Sequence, residues 1–302
     1  MRKAAATALA VVGAVALVSL FLDLVPGDPV DIMLGEHAAS VDREALRHAV
    51  GLDRPWYAQL VLFTKQLCTG ELRSSLPPFQ RKVLPLVASA LPNTLLLAFA
   101  AMLIGVLIAV PLGVLAAARR GTAIDHLAMG IAITGVAIPR FWLGPMLIIL
   151  FAIRLDLFPV SGAGTLRHLV LPAVTLGLAL AAFLSRITRA SMLEVLGQEY
   201  VMVARAKGLS PARVIWKHAF RNALLPILTV LGLEFGTLLA GAIVIEKVFA
   251  WPGMGTLLLN GIGARDYNLV RVVVLAFTLS YLAVNALTDL AYAVVDPRVR
   301  GH

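Results

Sequence analysis

Six apolar stretches separated by charged segments dominate the chain. Residues 4–22 and 91–118 carry no charge, and residues 127–153 carry only Arg140. Residues 169–184 form a short stretch that extends through Ile187 and Leu193. Residues 223–245 enclose Glu234, and residues 272–295 enclose Asp289. A helix of about 20 apolar residues crosses the hydrocarbon of a bilayer. The pattern therefore predicts an all-α integral membrane protein with six transmembrane helices. Pro111, Pro139, Pro145, Pro172 and Pro226 fall inside or near the ends of these stretches. Membrane helices tolerate proline where neighbours satisfy the freed carbonyls, so kinks are expected, and Pro139 beside Arg140 marks a helix break.

The segments between the stretches are unequal. Residues 26–90 form a long outer segment. Within it, residues 40–50 read as a helix stopped by Gly51, and Trp56, Tyr57, Leu60, Phe63 and Leu67 recur at helical spacing. Residues 247–271 read as a second outer loop, rich in glycine and aromatic residues. Residues 194–222 form an inner loop. The expected organisation is a first transmembrane helix at 1–25, an extracytoplasmic segment at 26–90, and a five-helix core at 91–302 containing that inner loop. The first stretch follows Arg2 and Lys3 but is longer than a usual signal core and lacks a small-x-small cleavage site, so it reads as an uncleaved anchor.

Composition agrees. Of 302 residues, 60% are hydrophobic and 14% charged, against roughly 45–50% and about 25% in soluble domains. Mean hydropathy is +0.88. The net charge of +9 would point to nucleic acid in a soluble protein, but basic residues of a membrane protein collect in cytoplasmic loops. With the amino terminus inside, the inner segments hold 13 Lys and Arg and the two short outer loops hold 5. Both termini are therefore expected in the cytoplasm, and the basic excess is topological. The one cysteine, Cys68, excludes an intrachain disulfide, and six scattered histidines show no metal-ligand spacing. No cofactor is expected in this chain.

The inner loop carries the most local information. Gly197 is placed to end the preceding helix. A short helix follows, with Glu199 at its start and Arg205 and Lys207 at its end, matching the helix dipole. Gly208 suits a left-handed stop. Ser210 before Pro211 reads as an N-cap and a first-turn proline, opening a second helix that runs past Asn222 into the fifth stretch. Such a helix either transmits a push from a partner into the membrane bundle or simply lies amphipathically at the interface.

The run Ala204-Arg205-Ala206-Lys207-Gly208-Leu209, with His218-Ala219-Phe220-Arg221-Asn222-Ala223-Leu224-Leu225-Pro226 after it, resembles the cytoplasmic loop of ABC-importer permeases. More narrowly, the chain resembles the oligopeptide/dipeptide/nickel permease subfamily, first-permease type. Pro26-Gly27-Asp28-Pro29, Gly51-Leu52-Asp53-Arg54-Pro55 and Ile138-Pro139-Arg140-Phe141-Trp142-Leu143-Gly144 match in order. So do Arg167-His168-Leu169-Val170-Leu171-Pro172, Phe249-Ala250-Trp251-Pro252-Gly253-Met254-Gly255 and Asp296-Pro297-Arg298-Val299-Arg300. The broad family consensus of Glu-Ala-Ala, three residues, then Gly falls on Met202, Val203, Ala204 and Gly208; only Ala204 and Gly208 match. Gly70-Glu71-Leu72-Arg73-Ser74-Ser75 also departs from the subfamily pattern.

The resemblance implies a permease subunit of an ATP-driven, binding-protein-dependent importer in a bacterial or archaeal cytoplasmic membrane. Implied partners are a second permease subunit, two ATP-binding cassette ATPases, an extracytoplasmic solute-binding protein and membrane lipid, with no nucleic acid. It assigns ATPase coupling to Glu199, Tyr200, Ala204, Arg205, Lys207, Gly208 and His218. Intramembrane ionisable residues are costly and default to functional roles. Glu234, near Gly232 and Gly236, reads either as a path residue meeting a cationic group such as a peptide amino terminus, or as a carboxylate bonded at a subunit interface. Arg140 reads as a carboxylate binder or as a partner of a backbone carbonyl. Pro139, Gly253 and Asp289 read as structural. The rival classes are an intramembrane enzyme and a structural anchor. No histidine is followed by glutamate, no serine sits in G-x-S-x-G, and no lysine precedes serine or threonine. The usual zinc-protease, serine-hydrolase and Walker A chemistries are thereby excluded, and energy must come from a partner.

Overall fold

The computed structural model describes residues 55–74 and 81–295, with isolated positions 13, 16, 17, 44 and 53. The first apolar stretch, the expected helix at 40–50, and the motifs at 26–29 and 296–300 lie outside the described residues. Among the described residues all regular structure is helical. Strand-like pairing is confined to one antiparallel bridge between Arg73 and Lys82.

Among residues 55–74 and 81–295, nine helical segments follow one another: α1 Trp56–Thr69, α2 Val83–Ala118, α3 Ala123–Ala137, α4 Arg140–Leu147, α5 Leu166–Leu196, α6 Glu199–Ala206, α7 Pro211–Val248, α8 Met254–Gly263 and α9 Tyr267–Val295. The π-helical turns Ile148–Arg154 extend α4, and the π-helical turns Val214–Phe220 interrupt α7 near its start. Among the described residues four helices, α2, α5, α7 and α9, are long and apolar enough to cross a membrane. The third expected span is not one straight helix. It breaks between Ala137 and Arg140 with a bend of 101°, so α3 with α4 forms either a broken span or a re-entrant hairpin. Pro139 explains the break. It biases Ile138 away from helical backbone, and Ile138 has φ −77° and ψ 120°. Pro139, itself extended, then stands before the first residue of α4. The second expected outer loop is also revised: it contains α8, which starts at the buried Gly253.

The chain divides into two compact units. The first takes in residues up to Thr94 together with Pro252–Leu282; the second takes in Leu95–Trp251 and the residues from Ala283. The first unit packs Phe63, Leu72, Val83, Met254, Leu269 and Val273 into one apolar core. Polar pins hold its edges. The Thr94 hydroxyl oxygen accepts the Met254 N–H at 2.7 Å, and the Asn93 amide donates to the Pro252 carbonyl at 2.8 Å. Asp266 is fully buried, accepts a hydrogen bond from the Ser74 hydroxyl, and accepts the Leu269 N–H at 3.1 Å. Arg271, which the charge pattern placed in a loop, is instead buried in the first turns of α9. It donates to Gln59 at 3.3 Å and lies over the rings of Phe63 and Tyr267.

The second unit is built on α5. Leu176, Leu180 and Leu184 of α5 meet Leu97, Leu238, Ile245, Phe249 and Trp251 in its main core. Glycine sets the approach of α2 to α5. A Cβ on Gly113 would lie 2.6 Å from the Ser185 carbonyl oxygen, and one on Gly177 would lie 2.8 Å from the Ala101 oxygen. Without strong hydrophobic drive between helices in lipid, such close contacts between small residues supply the packing. The outward faces of α2 and α3 carry exposed Leu103, Leu107, Leu127 and Ile131, as a lipid environment allows.

Candidate functional site

The inner loop folds as a compact appendage of the second unit. α5 ends at Gly197, which keeps right-handed backbone. Gln198, extended at ψ 147°, precedes α6. At the other end Gly208 adopts φ +77°, a conformation that costs side chains with a Cβ. Its N–H bonds back to the Arg205 carbonyl at 2.9 Å, and the Leu209 N–H reaches the Ala204 carbonyl at 3.4 Å. Pro211 then takes the first turn of α7. Ser210, expected as an N-cap, makes no side-chain capping bond, although its carbonyl accepts the Val214 N–H at 3.0 Å.

One face of α6 is buried and the other is bare. Val201 and Ala204 pack against Val214, Val195, Leu196 and Leu209. Glu199, Arg205 and Lys207 are exposed. Tyr200, Met202, Val203 and Trp216 are also open, each between 43% and 55% exposed. Charged ends around a bare apolar middle make a face suited to a protein partner. A polar knot fixes its orientation: the Asn222 amide donates to the Tyr200 hydroxyl at 2.7 Å and to the His218 carbonyl at 3.1 Å. His218 thus enters through its backbone. The Val214–Phe220 π-helical turns place Trp216 edge-on to Phe220, with ring centroids 5.3 Å apart. Beside the loop, a cavity of about 670 Å³ is lined by Arg120, Leu196, Arg205, Leu209 and Val214, among others.

The intramembrane candidates come together at one residue. Arg140, the first residue of α4, donates from Nη1 to the Thr237 carbonyl on α7 at 3.2 Å. The Thr237 hydroxyl lies 2.5 Å from a Glu234 carboxylate oxygen and 2.9 Å from the Glu234 carbonyl. Arg140 therefore takes the backbone-carbonyl role in this conformation. Gly241 leaves room for it, since a Cβ there would come within 2.7 Å of Nη1. Asp289 is exposed on α9, one residue after Thr288, against which Gly232 packs.

One strong interaction has no counterpart in the sequence reading. Arg189 of α5 grips Asp125 of α3 with both forks, Nε to Oδ1 at 2.6 Å and Nη2 to Oδ2 at 2.7 Å. The Gly121 N–H adds a third bond to Asp125 at 3.0 Å. The signal was a lone acid in the first turn of α3 and an arginine seven residues before the end of α5, which pattern analysis counted only as an inside charge. Nothing in the local pattern joins residues 64 positions apart.

The described residues thus form an apolar helical body that carries a braced surface helix closed by a glycine stop. Residues 109–301 match the family described as binding-protein-dependent transport system inner membrane component. The chain belongs to that family and is a permease component of a binding-protein-dependent ABC importer. It is 40% identical to the glutathione transport system permease protein GsiC of Escherichia coli O6:H1, over 94% of this chain and 92% of the relative. It is also 40% identical to the dipeptide transport system permease protein DppB of Escherichia coli, over 96% and 94%. Among solved structures it resembles the MetNI methionine ABC transporter in an inward-facing conformation, with a TM-score of 0.60 at 20% identity. That match covers 72% of this chain and all of the other. A crystal structure of an amino acid ABC transporter with histidines gives a TM-score of 0.53 at 22% identity, over 68% and 92%. At these identities the structural likenesses establish the fold alone.

Proposed function

We propose that this chain is one half of the translocation path of an importer for peptides or a related small solute. In this reading it pairs with a second, non-identical permease. Two ATPases bind on the cytoplasmic side, and an extracytoplasmic binding protein delivers the solute. Relatives that carry dipeptide and glutathione transport in their names support that solute class. Both termini lie in the cytoplasm, which puts residues 199–208 on the ATPase side, and six helices cross the membrane, the first at residues 4–22.

The observation that carries the reading is the geometry of α6. A two-turn helix is closed by a positive-φ glycine, tied to α7 through Tyr200 and Asn222, and presents bare Met202 and Val203 between Glu199 and Arg205. A short helix continuous with long helices at both ends transfers force as a rigid body. Ala204 faces the supporting cluster rather than solvent, so its role is to seat the helix. Arg205 and Lys207 supply the charge that an acidic ATPase groove would meet. Arg140 and Glu234, bridged by Thr237, are poised at the path where a zwitterionic solute would exchange with their internal bonds. Gly253 and Pro139 start α8 and α4 and hold the frame.

Reconstitution tests the whole reading. Vesicles containing this chain, the second permease and the two ATPases are expected to take up labelled dipeptide only with ATP inside and binding protein outside. Uptake without the ATPases, or turnover of substrate by the chain alone, would overturn it. Reporter fusions after residues 70 and 210 are expected on opposite sides of the membrane, and the same side for both would refute the topology.

A further inference from the structure

We propose that the Asp125–Arg189 pair is the tie that carries movement of the coupling loop into the broken span α3–α4, making both positioning residues for transport. The inference rests on reading residues 199–208 as the ATPase contact.

Position argues for it. Arg189 sits two turns before the end of α5, and α6 begins after only Gly197 and Gln198. A push on α6 therefore reaches Arg189 through the two-residue link Gly197–Gln198 and the last two turns of α5. Asp125 lies in the first turn of α3, about 18 Å along the helix from the break at residues 138–139, at 1.5 Å per residue. Beyond the break, α4 begins with Arg140, whose side chain reaches Thr237 of α7. The pair thus joins the start of α3 to the stem of the loop, and the break before α4 lies against α7 beside Glu234.

Chemistry makes the tie stiff. A two-pronged guanidinium–carboxylate contact fixes orientation as well as distance. Asp125 is only 2% exposed and Arg189 26%, so water competes poorly. The Gly121 N–H holds the carboxylate from the other side, which links the turn between α2 and α3 to the same point. The apolar packing of α3 on α5 around it holds the helices close but links no polar groups. Gly135 faces Ala182, where an added Cβ would come within 2.9 Å. Of the α3–α5 contacts described, the ion pair is the one that resists slip along the helix axes.

The test uses the complete reconstituted importer and reads labelled dipeptide taken up per ATP hydrolysed, the amount of assembled complex, and its thermal midpoint. Asp125→Asn is expected to lower the thermal midpoint, since a buried pair loses its charge, and to leave the amount of assembled complex near wild type while uptake per ATP falls at least about tenfold. Arg189→Lys, which keeps the charge but loses the fork, is expected to fall between. Asp125→Asn with Arg189→Gln is expected to be no worse than either single change, because partners in one interaction are not additive. A ratio within twofold of wild type for Asp125→Asn would overturn the proposal. So would uptake that falls only in step with assembled complex, since that marks a structural bond and nothing more. Gly208→Val separates the two readings. If it leaves ATPase association and uptake intact, the coupling assignment itself fails. If it abolishes both while Asp125→Asn keeps a normal ratio, only the tie fails.

Discussion

The unit formed around α1 and α8 and the loop formed around α6 solve opposite problems with similar residues. Around α8 the polar groups point inward. Asp266 and Arg271 are buried, Ser74 and Leu269 bond Asp266, and Thr94 and Asn93 pin the segment at 252–254. Around α6 the charges point outward, and side chains that would normally be buried, such as Met202, Val203 and Trp216, stand open. A buried hydrogen-bonded polar group penalises any movement that would leave it unpaired. An exposed apolar face awaits a partner. The first arrangement holds a shape; the second offers a contact. The difference teaches that charge alone does not mark function in this chain: Asp266 and Arg271 are buried in the frame, whereas Arg205 and Lys207 stand exposed at the contact.

Three substitutions test that contrast. Gly208→Val has the largest expected effect. A β-branched residue at φ +77° carries strain of ~1–3 kcal/mol, relieved by tilting or unwinding α6. Membrane abundance is expected to stay normal, ATPase co-purification to weaken and uptake to fall to background. Full uptake with ATPase bound would remove α6 from the mechanical contact. Asp266→Ala comes next. It strips Ser74 and Leu269 of their buried acceptor, at a cost of ~1–3 kcal/mol. The purified chain is expected to unfold at lower temperature, with ATPase co-purification unchanged. If ATPase binding fell as far as in Gly208→Val, the division between frame and contact would collapse. Tyr200→Phe is the smallest. Losing the bond from Asn222 costs ~0.5–1.5 kcal/mol, read as up to about a tenfold weaker ATPase affinity with thermal stability near wild type. No change in affinity would mean that the apolar cluster beneath α6 orients it unaided.

Much of the architecture was legible because lipid constrains sequence so strongly. A segment crossing a bilayer must satisfy its own backbone and expose apolar groups. Length and hydropathy therefore marked α2, α5, α7 and α9. Local chemistry marked the loop: Gly208 stood where a helix needed a left-handed stop, and Pro211 where one could begin. Ser210 stands at the N-cap position, its carbonyl accepting the Val214 N–H, but its side chain makes no capping bond. Pro139 gave the position of the break but not its 101° angle.

What the sequence by itself determined was the kind and approximate extent of the long helices and of α6, together with the family, through motifs whose order survives along the chain; α8 and the bend between α3 and α4 came only from the structure. Only the tertiary structure decided which distant residues meet. Arg189 could have faced water with the other inside charges, and Arg271 could have stayed in a loop. Their partners, Asp125 and Gln59, lie 64 and 212 positions away, and helical periodicity carries no information across such gaps. Arg140 and Thr237 likewise stand 97 positions apart and meet across the break at Pro139, whereas Glu234 meets Thr237 by ordinary helical spacing on α7. The physical reason is that periodicity reports which face of a helix is buried, whereas packing angles and helix breaks choose what that face is buried against.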